Sequence, residues 1–411
     1  MSLIKTPEKK VTPQTLNDWL SWIGRVHPHA MVLDVERVAA AGRKMDVLNF
    51  DDTPVVTVAG TNGKGSTASG IAACCAQAGL RTGLFLSPHL LTFNERIQWN
   101  GQPISDDALC EAFAAVERAR GDILLTYFEF TTLAALWTFT QRQAQVVVLE
   151  VGLGGRLDAT NIVDATHAVV STIALDHTHI LGETRDEIAR QKAGIFRPKQ
   201  YIYLGPKAAD VGVLREAAQA CTPNVQYTQP YQEKCSIPRE SAGLVRAVCG
   251  DLSKKYPALN ERHVSKVLRE FSILGRFSSM VTRAGTWVFD VAHNPEGGLW
   301  LAEQLAANPV RGITYALWGS FMDKDQQGIV APLCPHIDQW MVLRTVGERG
   351  ASVQHLSGVL EQSGGKVFAA FEEAKEAVKT LLSQLQTEDR VVVFGGFDIV
   401  SRVYPILSEQ G

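Results

Sequence analysis

Two α/β domains, each built on a largely parallel sheet, are what this sequence predicts, and three observations carry the prediction. Near-continuous apolar runs at Val146–Val151 and Ala168–Ile173 are separated by helical patterns, as in parallel strands buried on both faces. The string VVTVAGTNGKGS, Val55 to Ser66, reads as a β-branched strand, a glycine-rich turn and a helix start, with Ile71 and Ala72 on the helix's apolar face. Finally, 411 residues exceed one ordinary core, and a second α/β unit begins around Leu274–Phe277. The expected division is a mostly parallel, phosphate-loop-containing sheet domain at 1–275 and a smaller α/β domain at 276–411.

In chain order, Leu16, Trp19, Leu20 and Ile23 form one face of a first helix, and His27–Val38 leads into a second. Thr82–Leu86 reads as a strand ending in SPHL, Ser87–Leu90. Ser105 before Asp106 and Asp107 is a helix start, because a hydroxyl cap and an acidic first turn suit the exposed N–H groups. Helices are expected at Phe128–Gln143 and Thr184–Ala193. Cys221–Arg239, polar and holding Pro223, Pro230 and Pro238, reads mostly as loop. Helical patterns resume at Ser241–Lys255 and Glu261–Phe271. The second unit has strand candidates Thr286–Val291, Ile313–Trp318, Gln339–Leu343 and Arg390–Phe394, with helices at Glu296–Ala307 and Phe371–Gln386.

Hydrophobic content of 45% with 20% charged residues describes a soluble globular protein, and a net charge of −3 leaves no footprint for nucleic acid or an anionic membrane. The N-terminus lacks a signal peptide's apolar run, and no stretch approaches the roughly 20 apolar residues of a membrane helix. A cytoplasmic monomer acting on small molecules is the expectation. The seven cysteines form no CxxC pair, so reduced thiols are expected rather than disulfides or zinc.

Several constellations carry chemistry. Backbone N–H groups of the glycine-rich turn and the helix N-terminus make a concave site for phosphate oxygens, and Lys64 adds positive charge. Gly65 separates Lys64 from Ser66, unlike the usual G-x-x-x-x-G-K-[ST] loop. Glu150, near the C-terminal end of a buried strand, is either a salt-bridged structural carboxylate or a hard oxygen ligand suited to Mg²⁺. STIALDHTHILG leaves its strand at Asp176–His177, where a lone histidine is ordinarily a satisfied polar residue. Lys192, near a helix end, reads alone as a solvated lysine. FDVAHNPEG, Phe289 to Gly297, ends a strand in a polar turn before a helix led by Pro295. Arg276 lies upstream, its other reading being an interdomain salt bridge. TYFEF, Thr126 to Phe130, offers aromatic faces, a hydroxyl and a carboxylate to a flat heterocycle, or is simply a helix start with core aromatics.

GTNGKGS together with LEVGLGGRLDATN, Leu149 to Asn161, closely resembles the folylpolyglutamate synthase/dihydrofolate synthase branch of the Mur ligase superfamily. The resemblance is dense from Thr53 to Pro198, returns at Leu274–Pro295 and in the C-terminal strands, and is weak between. It implies a Mur ligase-like fold with a Rossmann-like C-terminal domain. The implied activity is ATP-dependent ligation of L-glutamate to dihydropteroate and to tetrahydrofolate through an acyl phosphate, with two Mg²⁺ ions. By the same resemblance Thr61, Asn62, Gly63, Lys64, Gly65 and Ser66 bind ATP, Arg276 its phosphates and Asp290 its ribose. Ser87 contacts the first magnesium ion and His177 binds the second, with Glu150 and a carbamylated Lys192 also placing the ions. Lys192 is carbamylated, and His293 lies near the reacting groups, so Lys64, His177, Lys192 and His293 are the implied catalytic set. Dihydropteroate is expected at Leu33, Asp34 and Val35, at Thr126, Tyr127, Phe128 and Glu129, and at Leu157, Asp158 and Ala159.

The chain departs from the pattern in three places. Asp34 replaces a usual glycine, and Gly396 stands where a serine is expected. Glu240 or a neighbour takes the place of an asparagine that contacts adenine, and a carboxylate cannot donate as an amide does. Thr126 and Asp158 favour the bifunctional enzyme. The alternatives are a folylpolyglutamate synthase without the first activity and a degenerate nucleotide-binding homologue. A cell-wall Mur ligase fits TYFEF and GGRLDATN less well.

Overall fold

A computed structural model describes residues 13–29, 32 and 34–409. The first sheet comprises β1 (Val55–Ala59), β2 (Thr82–Phe85), β3 (Ile97–Trp99), β4 (Gln102–Pro103), β5 (Val146–Glu150), β6 (His167–Val170), β7 (Tyr201–Leu204) and β8 (Val225–Tyr227). Their order is β4-β3-β2-β5-β1-β6-β7-β8. All neighbours run parallel except β2–β3 and β3–β4, which are antiparallel. β1 and β5 are wholly buried, which is why their β-branched runs lack alternation. The register sets Val58 of β1 opposite Glu150 of β5, and Ala59 opposite Val170 of β6. Three strand ends therefore meet at one edge, where the glycine-rich turn leaves β1.

Helices cover both faces of this sheet. On one side Leu16–Val26, Val35–Met45, Asp106–Arg120 and Tyr127–Gln141 bury Trp19, Ile23, Phe113, Phe130 and Phe139. On the other, Lys64–Gln77 lies between the sheet and the Arg239–Leu252 and Glu261–Glu270 helices. A Cβ at Gly70 would come within 2.7 Å of Val245 Cγ2, so glycine lets the helices approach closely.

The second sheet comprises β9 (Ser278–Thr282), β10 (Gly285–Phe289), β11 (Thr314–Trp318), β12 (Gln339–Leu343), β13 (Val367–Phe371) and β14 (Arg390–Phe394), in the order β13-β12-β11-β14-β10-β9. Only the β9–β10 pair is antiparallel. Leu301, Trp318 and Trp340 pack on one face, and Val378, Val400 and Val403 on the other. Among the described residues, no helix is long and apolar enough to cross a membrane, and all seven cysteines are free thiols.

Several sequence expectations change. Cys221–Arg239 is mostly loop, as expected, but also contributes the short edge strand β8. The helix expected from Phe371 begins at Ala374, because Phe371 closes β13. β7, β9, β13 and the Gly212–Cys221, Val353–Gln362 and Phe397–Ser408 helices were not marked by the sequence patterns. β9 and β13 are edge strands with half-exposed side chains; β9 lacks an apolar run, and β13, though apolar throughout, is short and exposed at alternate positions.

Candidate active site

β1 passes through Gly60–Gly63 into the Lys64–Gln77 helix, with Gly63 capping it at a φ of 79° that glycine adopts without strain. The end of β6 braces the turn from behind. Thr61 N donates to Thr172 O at 2.9 Å, Asn62 N to Thr172 Oγ1 at 2.9 Å, and Ser171 Oγ to Asn62 O at 2.6 Å. On the first helical turn, Ser66 Oγ and Thr67 Oγ1 are buried with no hydrogen-bond partner among the described residues. An oxyanion or a cation would satisfy such hydroxyls.

Lys64 Nζ donates to Gly60 O at 3.0 Å and Thr61 O at 3.1 Å. Lys192, near the end of the Arg185–Ala193 helix, donates to the same Gly60 O at 2.9 Å. Burial lowers the pKa of Lys64, opposed by the negative charge of Glu150. At Lys192 burial and the charge of Lys64 act together and bring the value to about 7, so a neutral amine is accessible. Glu150, level with Val58 in the register, accepts from Ser87 N at 2.9 Å. Burial raises its pKa and Lys64 opposes the rise.

The second domain reaches the same place. Arg276 follows the Glu261–Glu270 helix, and its guanidinium makes no hydrogen bond among the described residues while lying 5.9 Å from the Phe397 ring centre. Asp290, just past β10, accepts from Phe277 N and Ala292 N at 2.8 Å each. Burial lifts its pKa to about 6 against the pull of Arg276. His293 Nδ1 donates to Val291 O at 2.8 Å, and Asn294 Nδ2 donates to Asn62 Oδ1 at 2.9 Å. The phosphate loop is thereby tied to the second domain.

At the centre stands Asp176, a residue given no role by the sequence reading. Its Oδ1 accepts from Lys324 Nζ at 3.1 Å and from His177 N at 2.9 Å. Its Oδ2 lies 3.8 Å from His293 Nε2 and 3.9 Å from His177 Nε2. Burial opposes the charge, but His293, His177 and Lys324 together hold the carboxyl well below its usual range. His177 takes a φ of 50°, and burial lowers its pKa against the pull of Asp176. Lys324 is 148 positions from Asp176, and no local signal foretells their meeting.

These groups border three adjoining cavities. A central one of about 340 Å³ is lined by the glycine-rich turn, Ser87, Glu150, Asp176, His177, Lys192, Arg276, His293 and Lys324. A second, of about 190 Å³, shares Asn62, Gly63, Arg276 and His293 with it and adds Ser66, Glu240, Asp290 and Trp300. A third, of about 270 Å³, shares Ser87, Pro88, Gly152 and Leu153 with the central one. It is walled by Val32, Thr126, Phe128, Glu129, Leu157, Asp158 and Ala159.

Not every expected residue lies on a wall. Leu33 falls outside the described residues. Asp34 caps the Val35–Met45 helix by accepting from Glu36 N, Val35 opens that helix, and Val32 rather than either lines the third cavity. Tyr127 is also absent from that lining; its ring packs edge-on against Phe93 at 5.8 Å, under Arg96. Thr126 and Glu129 form a capping box, with Glu129 also paired to Arg37. Asp158 Oδ1 accepts from Thr160 N and Oγ1, and Oδ2 from Leu153 N, so this carboxylate shapes the loop whose surface lines the cavity. Phe321, Arg349 and Phe397 join the central wall without having been singled out.

Among the described residues, no group of three or more His, Cys, Asp and Glu is arranged to hold a metal ion. The donors present still suit a hard cation that takes few protein ligands: the Glu150 carboxylate, the Ser87 hydroxyl and the unpartnered Ser66 hydroxyl beside a phosphate loop.

Residues 58–206 match the Mur ligase middle domain, and residues 275–397 match the Mur ligase glutamate ligase domain. The dihydrofolate synthase/folylpolyglutamate synthase of Escherichia coli K12 is 37% identical, with 98% of each chain covered. The structure of E. coli FolC in complex with DHPP and ADP superposes with a TM-score of 0.87 at 35% identity, covering 98% of this chain and all of the other (100%). The bifunctional folylpolyglutamate synthase/dihydrofolate synthase of Yersinia pestis, complexed with AMPPNP and a Mn ion, gives 0.86 at 34% identity, with 98% and 100% covered.

Proposed function

The chain belongs to the dihydrofolate synthase/folylpolyglutamate synthase family of Mur ligases, and from that premise we propose that it joins L-glutamate to dihydropteroate, giving dihydrofolate, and to tetrahydrofolate in polyglutamylation. ATP is the co-substrate. The observation that carries this reading is a central cavity, lined by the phosphate loop, that shares walls with two others. The smallest suits a nucleoside, the apolar one a flat acceptor, and the central one the groups that react.

In this reading the acceptor's carboxylate attacks the γ-phosphorus of ATP. A carboxyl–phosphate bond forms, the bond to ADP breaks, and ADP leaves with the electron pair. The glutamate amine then attacks the activated carbonyl, phosphate departs, and the amine proton is released. Lys64 and the unpartnered Arg276 guanidinium offset charge on the phosphoryl oxygens. Asp290 is the ribose contact, and its two backbone hydrogen bonds fix its orientation. His293, with Nδ1 committed to Val291 O, presents Nε2 to the central cavity beside Asp176. Glu150, Ser87 and Ser66 would hold a magnesium ion, with His177 at a second, and the ions would supply charge neutralisation at the phosphates. Domain closure on the bound nucleotide would keep water from the acyl phosphate.

Lys192 is the carbamylation site in this reading, since its depressed pKa gives the free amine that CO₂ needs. A purified protein whose intact mass never carries an added CO₂ in bicarbonate buffer would remove that assignment. The domain boundary at 275/276, a monomeric state and a cytoplasmic location belong to the same proposal.

The test is ADP release with MgATP, L-glutamate and either dihydropteroate or tetrahydrofolate, with product masses showing each added glutamyl unit. Turnover with both acceptors is expected. Turnover with tetrahydrofolate alone would leave only polyglutamylation, and none with either would refute the ligase.

A further inference from the structure

Besides the phosphate loop, the nucleotide cavity is lined by a set of side chains unlike a neutral purine clamp. Glu240 stands on the first turn of the Arg239–Leu252 helix and lines the cavity, and its carboxylate has no hydrogen bond or ion pair among the described residues. Lys207, on the same lining, donates to Glu296 Oε1 at 2.8 Å and retains two further N–H donors. Leu299 and Trp300 of the second domain supply the apolar surface for a ring. A free carboxylate beside an ammonium offers acceptors next to a donor.

Guanine presents the complement: N1–H and the 2-amino group as donors, O6 as acceptor. Adenine presents one amino donor and, at N1, a lone pair that a carboxylate repels. We propose that Glu240 reads the purine base and that this pocket therefore accepts guanosine triphosphate as well as ATP. The proposal rests on the nucleotide-dependent ligase reading above. Glu240 accepts from N1–H and the 2-amino group, and Lys207 donates to O6. A bidentate contact of this kind separates right from wrong base by about 5- to 150-fold.

The test is kcat/KM for MgGTP and for MgATP in the ligation assay, for the wild-type protein and for Glu240→Gln. The Gln amide can donate to adenine N1 and accept from its amino group, so the GTP/ATP ratio is expected to fall at least fivefold in the variant. A change of less than fivefold overturns the proposal. GDP against ADP affinity, measured by equilibrium binding on the same proteins and on Glu240→Ala, gives the ratio even if a variant loses turnover. The same fivefold threshold decides the outcome for Glu240→Gln and, if that variant does not fold, for Glu240→Ala. Wild-type protein that turns over neither nucleotide with either acceptor would refute the ligase reading instead, and the binding ratio would then judge Glu240 alone.

Discussion

Breaking the Asp176–Lys324 contact should uncouple the domains where the chemistry is placed. The perturbation is Asp176→Asn and Lys324→Met, singly and together. At 3.1 Å, and an effective dielectric of about 20, the gross attraction is about 5 kcal/mol. Both side chains are only 13% exposed, so desolvation takes back much of that, and a net coupling of about 2 kcal/mol is expected. Each single change should therefore cost more than it does when the partner is already gone. In kcat/KM for ADP release, the double variant should be about 30-fold more active than the product of the single effects would give. Urea unfolding of each protein shows whether the fold survives. Single effects that simply multiply would refute the reasoning, because the two residues would then act independently despite their distance.

Two further predictions concern other parts of the molecule. His167, stacked on Tyr201 at 5.3 Å and buried, has its pKa lowered to about 4, mainly by desolvation. The unfolded chain binds the proton first, so stability is present above about pH 6.5 and lost as pH falls towards 4, by about 3 kcal/mol; His167→Gln should flatten that part of the urea-midpoint profile, and an unchanged slope would contradict the assignment. Gly152→Ala would set a Cβ 2.6 Å from Phe128 Cζ, on the wall between the central and apolar cavities. Displacement of that ring should raise KM for dihydropteroate about tenfold while ADP affinity changes less than twofold, and equal losses in both would show a general collapse instead.

The reach of the sequence follows how local each cause is. The phosphate loop was legible because a β-branched buried strand, a glycine at φ 79° and a helix start act within a dozen residues. Glu150 and Asp290 were legible as strand-end carboxylates, and the capped start at Ser105 was legible because caps are short-range. The edge strands β8, β9 and β13 were not, since each is short and half-exposed and is defined by the strand it pairs with. In the packed chain Asp34 caps the Val35–Met45 helix and Tyr127 packs against Phe93 under Arg96.

The sequence by itself determined the strand–helix alternation, the phosphate loop and the chemical types available, because propensity, burial pattern and turn geometry are properties of neighbouring residues. Only the tertiary structure decided that Asp176 gathers Lys324 and His293 from the other domain, that Lys64 and Lys192 share one carbonyl, and that Glu240 faces a cavity unpaired. Those arrangements depend on how two sheets dock, and the docking brings together charges far apart in the chain whose energies exist only once water is excluded between them.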